Sequence, residues 1–260
     1  MGRLFLITGV LLLLTGCSGE KKYSAPKRIC SLSTAGSAVL CALGAPPAAV
    51  DHYSANVVSG KSVVVGKGTA VSAEKMVELG IDTLVVWSYQ VPAVEHLRRH
   101  GIRIVPLELV RLKNFPEMIE KLGHLTGKEK EARQLAEKYE KLLLLTTSGV
   151  QNPKRVYLEL YTRNRGAGAF SYAGDLLLAA GGRSILEKSA LTGSEHIIRS
   201  NPEVIFFVEG FTTPEEIMKR QGFSGIEAVK RKAVFPVPRH LLVEGAFPAE
   251  AVEYFKKRIN

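Results

Sequence analysis

Three stretches of the chain are almost unbroken apolar runs: Thr83-Leu84-Val85-Val86-Trp87, Val204-Ile205-Phe206-Phe207-Val208 and Ala233-Val234-Phe235-Pro236-Val237. A strand with one wet face alternates apolar and polar residues. A continuous run of five is a strand covered on both faces. Covering both faces takes helices, and helix-like segments separate these runs. The pattern therefore predicts βαβ units and mostly parallel sheets.

The same logic extends along the chain. Arg28-Ile29-Cys30-Ser31-Leu32-Ser33 reads as a short buried strand, and Ser33 or Thr34 can cap the helix through Val39-Leu40-Cys41-Ala42-Leu43, which Gly44 stops. Further strands are expected at Ala48-Ala49-Val50, Val63-Val64-Val65, Arg103-Ile104-Val105-Pro106 and Arg155 to Tyr161. Ser72 can cap a helix to Leu79 that Gly80 ends, a helix passes through His96 to His100, and another covers Asp175 to Ala180 before Gly181-Gly182. A last helix covers about Pro248 to Arg258. Between the halves the pattern changes. Phe115-Pro116-Glu117 opens a helix, Thr126-Gly127 interrupts it, and Lys128 to Thr146 follows with Ala132, Leu135, Ala136, Tyr139, Leu142 and Leu143 on one face. At 1.5 Å per residue that helix is roughly 30 Å long, enough to cross a small domain. The fold class expected is α/β, two Rossmann-like lobes joined by one long rigid helix, with a cleft between them.

The N-terminus sets the compartment. Met1-Gly2-Arg3 precedes an apolar run from Leu4 to Leu14 and then Thr15-Gly16-Cys17. One positive charge, a short apolar segment and small residues describe a secretory leader. The run is too short for a transmembrane helix, which needs about 20 apolar residues. Leu14-Thr15-Gly16-Cys17 resembles the lipobox of bacterial lipoproteins, in which the Cys is acylated. An ordinary leader with a chance Cys is the alternative. The divisions expected are a leader at 1–16, a lipidated tether at 17–26, an N-terminal lobe at 27–112, a helical linker at 113–148 and a C-terminal lobe at 149–260. Export would place Cys30 and Cys41 in an oxidising space, where they could form a disulfide or remain two buried thiols.

Composition narrows the function. Hydrophobic residues at 46% and charged residues at 23% exclude a disordered chain and a multi-span membrane protein, and three Cys exclude a disulfide scaffold. The formal charge of +10 favours anionic partners. It is spread along the chain, and export argues against nucleic acid.

The chain also repeats itself weakly. Glu74-Lys75-Met76-Val77-Glu78-Leu79-Gly80-Ile81-Asp82-Thr83-Leu84-Val85 can be laid on Glu195-His196-Ile197-Ile198-Arg199-Ser200-Asn201-Pro202-Glu203-Val204-Ile205-Phe206. The strand at Arg28–Ser33, these two blocks, the Lys128–Thr146 helix and the Ser171–Gly182 segment occur in an order that resembles the helical-backbone class of substrate-binding proteins of ABC importers. That class serves cobalamin, haem and ferric siderophores. The resemblance spans nearly the whole mature chain. It implies an exported, lipid-anchored monomer, at the periplasm or the outer face of the cell membrane, that carries a metal chelate to an ABC permease. It implies no enzyme activity and no resident cofactor or metal. It also implies that Glu74 and Glu195, one per lobe, dock on permease arginines. As ordinary first-turn residues, both are alternatively explained by the helix dipole.

Ligand-binding candidates are the residues at strand ends. Trp87, the only tryptophan, ends one run, and Ser88-Tyr89 follow it. Ser33 follows the first strand, Tyr161 and Arg163 the first strand of the second half, Phe211 the Val204–Val208 run, and Arg239-His240 the last. Flat aromatics suit a macrocycle or catecholate, and Arg suits planar oxygen donors. A core position for Trp87 and solvated surface positions for the arginines are the alternatives. The positive charge favours an anionic ferric complex, while the short mature chain suits a corrinoid. His96 and His100 stand at zinc-holding spacing, but Arg98 and Arg99 intervene and no third ligand is near. Ser72-Ala73-Glu74-Lys75 lacks the partner motifs of serine acyl-enzymes, and Gly166-Ala167-Gly168 lacks those of a phosphate loop. An envelope enzyme reusing the scaffold, or a sensor or structural lipoprotein, are the rival readings.

Overall fold

The computed structural model describes residues 28–58, 60, 62–147, 151–245 and 247–260. The leader, Cys17 and the tether at 17–26 lie outside the described residues.

The first lobe runs β1 (Ile29–Ser31), α1 (Thr34–Ala42), β2 (Ala49–Val50), β3 (Val63–Val64), a small antiparallel hairpin of β4 (Gly66–Lys67) and β5 (Ala70–Val71), α2 (Ala73–Glu78), β6 (Thr83–Trp87), α3 (Val91–Val94) and β7 (Arg103–Leu107). Its sheet has the order β3-β2-β1-β6-β7 and every pairing is parallel. Two helices follow, α4 (Phe115–Thr126) and α5 (Glu129–Thr147). The second lobe runs β8 (Lys154–Glu159), β9 (Arg165–Gly166), α6 (Tyr172–Ala179), β10 (Gly182–Ser184), β11 (Ala190–Leu191), α7 (Ser194–Ser200), β12 (Val204–Val208), α8 (Pro214–Met218), α9 (Glu227–Lys230), β13 (Val234–Val237) and α10 (Pro248–Ile259). Strands β10, β8, β12 and β13 are parallel neighbours, and the short β9 and β11 add antiparallel pairs at the edge. The expected α/β class and two-lobe design are thus present.

Local chemistry explains the helix starts. The hydroxyls of Ser33, Ser72, Ser171 and Thr213 accept from the backbone N–H groups of Gly36, Lys75, Gly174 and Glu216 at 2.9, 3.1, 3.1 and 3.2 Å. Each satisfies a donor that the first helical turn leaves open. Gly127, at φ +69°, reverses the chain between α4 and α5. Gly123 then allows close packing, because a Cβ there would collide with the side chain of Ala132.

Strand parity divides the core into layers. Ile29, Val85, Trp87 and Leu107 face α1 and α4, and they join Phe115, Ile119, Ala132, Ala136 and Tyr139 in one cluster. That cluster continues without a break to Leu158, Phe206, Leu176 and Phe255 of the second lobe. The opposite faces hold two separate clusters, one around Cys30, Leu84, Val86 and Met76 and one around Tyr157, Ile205, Phe207 and Phe223. One core therefore crosses both lobes.

Parity also decides the cysteines. Cys30 and Cys41 are both thiols and are not bonded to each other. Ser31, not Cys30, faces α1, as its hydroxyl accepts from Ser37 at 2.9 Å. Cys30 packs beneath the other face of the sheet, so a bridge to Cys41 on α1 would have to pass through β1. The segment at His96 to His100 is a tighter 3₁₀ turn rather than an α-helix.

Candidate functional site

An open parallel sheet binds ligands at the carboxyl edge, where the strand order reverses direction. In the first lobe the chain moves outward from β1 through β2 to β3, then returns to β6 and β7 on the other side. The reversal lies between β1 and β6. In the second lobe it lies between β8 and β12. The segments leaving these edges carry exposed large side chains: Tyr53 after β2, Tyr89 after β6, Leu109 after β7, Tyr161 after β8, Phe211 after β12 and Phe247 after β13. Scattered exposed aromatics need no explanation. Gathered at two facing carboxyl edges, they form an apolar cleft lining.

The second-lobe side is ordered. The rings of Tyr161 and Phe211 meet edge to face with centroids 5.2 Å apart. The guanidinium of Arg239 lies 4.6 Å from the Phe211 centroid, and its Nε donates to the Glu209 carbonyl at 3.0 Å. That leaves a stacked cation facing solvent. His240 sits edge-on to Phe247 at 5.4 Å and 3.5 Å from Glu250.

Between the lobes runs a polar strut. Arg111 Nε and Nη2 donate to Asp175 of α6 at 2.7 and 2.5 Å, and the Leu112 N–H donates to the same carboxylate at 2.9 Å. Beside it, Tyr139 of α5 donates its hydroxyl to the Gly245 carbonyl. Gly245 has φ +78°, and the Phe115 ring occupies the space a Cβ would need. Only glycine fits both conditions. Next to it, Glu244 is half-buried. Burial pushes its carboxyl up to about 6. Tyr89 from the first lobe and Tyr161 from the second are both raised, first by burial and then by the Glu244 charge. One carboxylate is therefore felt on both walls.

The residues expected from the sequence separate into groups. Tyr89, Tyr161, Phe211, Arg239 and His240 stand exposed at the carboxyl edges, and Arg163 is exposed in the loop beyond Tyr161. Ser33 and Trp87 do not reach the cleft. Ser33 is fully buried, with its hydroxyl engaged as the α1 cap. Trp87 is 6% exposed and has the parity of Val85, so its ring packs into the shared core. Glu74 and Glu195 are exposed in the first turns of α2 and α7. Each helix runs back to the strand after it, so both carboxylates lie toward the carboxyl edges of the sheets. Each follows an antiparallel pair, β4–β5 or β9–β11, and each helix ends at a left-handed residue, Gly80 or Asn201. The repeat seen in the sequence is thus structural. Tyr53, Phe170, Glu244 and the Arg111–Asp175 strut were not singled out by sequence reasoning. For Tyr53 a signal existed, since it follows a strand as Tyr89 does.

Among the described residues no group of three or more His, Cys, Asp or Glu side chains is placed to hold a metal, and no helix is long and apolar enough to cross a membrane.

Two facing parallel sheets, a spanning helix and an aromatic cleft define a two-lobe binding protein. Residues 29–241 match the family described as periplasmic binding protein, and the chain belongs to it. The resemblance read from the sequence is borne out at that level. No curated protein matches the sequence. Several solved structures share the fold. The vitamin B12 binding protein BtuF of Vibrio cholerae is 21% identical with a TM-score of 0.71, over 90% of this chain and 97% of that one. The haem-binding protein RhuT of Roseiflexus sp. RS-1 is 17% identical with a TM-score of 0.74, over 90% and 99%. CeuE of Helicobacter pylori, in a nickel–histidine complex, is 18% identical with a TM-score of 0.72, over 92% and 84%.

Proposed function

We propose that this chain is the substrate-binding lipoprotein of an ABC importer. It captures a bulky metal chelate (a ferric siderophore, cobalamin or haem) between its lobes and delivers it to the permease. The observation that carries this reading is the placement of Tyr89 on one wall and Tyr161 with Phe211 on the other, each beside the reversal point of its sheet. Such rings suit a large flat ligand, and structural relatives bind vitamin B12 and haem. No bond is made or broken in this function. The core that crosses both lobes, the Arg111–Asp175 strut and the long α5 favour small closure movements over hinge bending.

Acylation of Cys17 would hold the protein at the membrane, and Glu74 and Glu195 would orient it through Arg–carboxylate pairs on the permease. Titration of the purified chain by calorimetry with cyanocobalamin, haem and ferric siderophores tests the capture step. Saturable binding of one class at micromolar affinity or better, about −8 kcal/mol, supports it. Absence of binding to all three overturns it. For docking, the Glu74→Arg, Glu195→Arg double variant should keep ligand affinity and lose uptake. Unchanged uptake removes the docking role.

A further inference from the structure

The acids around the cleft differ in one respect. Asp51 accepts from the Ser54 and Gly68 N–H groups at 2.9 and 3.1 Å. Asp175 is held by Arg111, and Glu159 by Arg220 at 2.6 and 2.7 Å. Glu244 has neither hydrogen bond nor ion pair with the described residues, yet it is half-buried beside Gly245, and its charge is felt by Tyr89 of one lobe and Tyr161 of the other. Its backbone cannot easily turn it away. The next residue, Gly245, is fixed under Phe115 and by the Tyr139 hydroxyl, and the preceding turn at 239–242 is packed through buried Leu241. A carboxylate shielded from water and given no donor costs stability. A bound ligand can supply that donor.

We propose that Glu244 is a specificity-determining residue, selecting ligands that present an N–H donor or positive charge to the floor of the cleft and rejecting those that present a carboxylate or catecholate there. This inference rests on the chelate-binding reading above and narrows it. It favours an uncharged, amide-rich macrocycle over haem or an anionic ferric complex. The overall positive charge of the chain, which alone favours an anion, is overruled at this point by the local group. Arg239 is the remaining place for an anionic edge of the ligand, on the Phe211 side.

Tyr89 beyond β6, Tyr161 beyond β8 and Tyr172 on α6 feel the Glu244 charge; around them stand Asp51 acting on Tyr89, Arg239 acting on Tyr161, Asp175 acting on Tyr172 and paired with Arg111, and Tyr139 of α5 bonded to Gly245. Burial raises the four phenols, and the Asp175 hydrogen bond raises Arg111. None of these five loses a proton near neutrality. His52 packs against Tyr53 and His240 against Phe247.

The test uses the purified chain and its Glu244→Gln variant, which keeps size and an acceptor oxygen while removing the charge. Calorimetry at pH 6, 7 and 8 would use cyanocobalamin, haem and a ferric tris-catecholate as probes. In the parent protein, cyanocobalamin should bind tightest at pH 8. The anionic probes should gain up to tenfold per pH unit as pH falls from 8 to 6, since they need one proton on Glu244. The variant should flatten that gain, strengthen the anionic probes at pH 8 and weaken cyanocobalamin by about tenfold, the loss of one charge-assisted hydrogen bond. An unchanged ranking in the variant, or a pH gain that survives in it, overturns the role of Glu244 and leaves chelate binding standing. Failure of every probe to bind the parent overturns chelate binding itself. One cooperative thermal transition in each protein at pH 8, with the variant's midpoint at or above the parent's, confirms that both are folded.

Discussion

Removing the Asp175 carboxylate tests whether the lobes are held as one body. Asp175→Ala takes away three hydrogen bonds at once, two from Arg111 and one from the Leu112 N–H. The Leu112 N–H is buried, and an orphaned buried donor costs about 1–3 kcal/mol. The Arg111 side chain is 24% exposed and that of Asp175 is 12%. Breaking a fully buried pair costs about 3–5 kcal/mol, and partial access of Arg111 to water places this one at the lower end. The expected loss is about 3 kcal/mol. For a chain of this size that lowers Tm by about 6–12 °C. The assay is a double-mutant cycle of Asp175→Ala and Arg111→Ala, read by urea unfolding. The Leu112 bond is lost in both arms that carry the Asp175→Ala change, so it cancels and the coupling isolates the ion pair. We expect a coupling of about 2 kcal/mol and, in the parent, one cooperative transition. A coupling below about 0.5 kcal/mol would show the pair to be a solvated contact. Two separate transitions in the parent would refute the continuous core.

Glu159→Gln should destabilise by about 3 kcal/mol or more, because it leaves the Arg220 guanidinium, 6% exposed, without its charged partner. Replacing both residues by Leu should recover only part of that loss in the same urea assay, because the Tyr157 hydroxyl and the Asn164 N–H also lose Glu159 as their acceptor. For Glu244 the direction is opposite to that of a paired carboxylate. Its folded pKa, about 6, lies above the usual 4.5, so the folded state holds the extra proton and stability falls as pH rises through that window. Glu244→Gln should therefore gain up to about 2 kcal/mol over the parent above pH 6 and nothing below pH 4, measured by thermal unfolding across pH. Cys30, buried and with its thiol raised by burial, should resist alkylation in the native protein and react fully in urea. Loss of two hydrogens by mass spectrometry would instead reveal a disulfide.

The strands were readable because burial on both faces leaves a mark in consecutive residues. Thr83–Trp87 and Val204–Val208 coincide with β6 and β12. Helix starts at Ser72 and the Gly80 stop were readable because capping is local chemistry. The two-residue strands β9 and β11 left no pattern, since their pairing depends on residues some 25 positions apart. Trp87 shows how position misleads when parity is ignored. Its place at a strand end suggested the cleft, but it is still within the pleat, two residues from Val85 and on the same buried face. Tyr89, Tyr161 and Phe211 lie two or three residues past their strands, where the alternation no longer applies.

That distinction explains why the walls of the cleft were legible and its floor was not. Each wall is built by one lobe from a strand and the few residues that leave it. The floor is built by contacts between distant segments. Arg111 and Asp175 are 64 positions apart, and Tyr139 and Gly245 are 106. Nothing in Val243-Glu244-Gly245 marks the glutamate as unusual. Its character comes from Phe115 and Tyr139 closing over Gly245, and from Tyr89 and Tyr161 arriving from opposite lobes. Local residues thus supply the aromatic walls on which the proposed capture of a large flat ligand rests. In the selectivity proposed for Glu244, the choice among such ligands falls to a group whose environment exists only when the two lobes have docked. On that proposal the Arg111–Asp175 strut that ties the lobes bears on selectivity too, and loosening it should blur discrimination between charged and uncharged ligands before it abolishes binding.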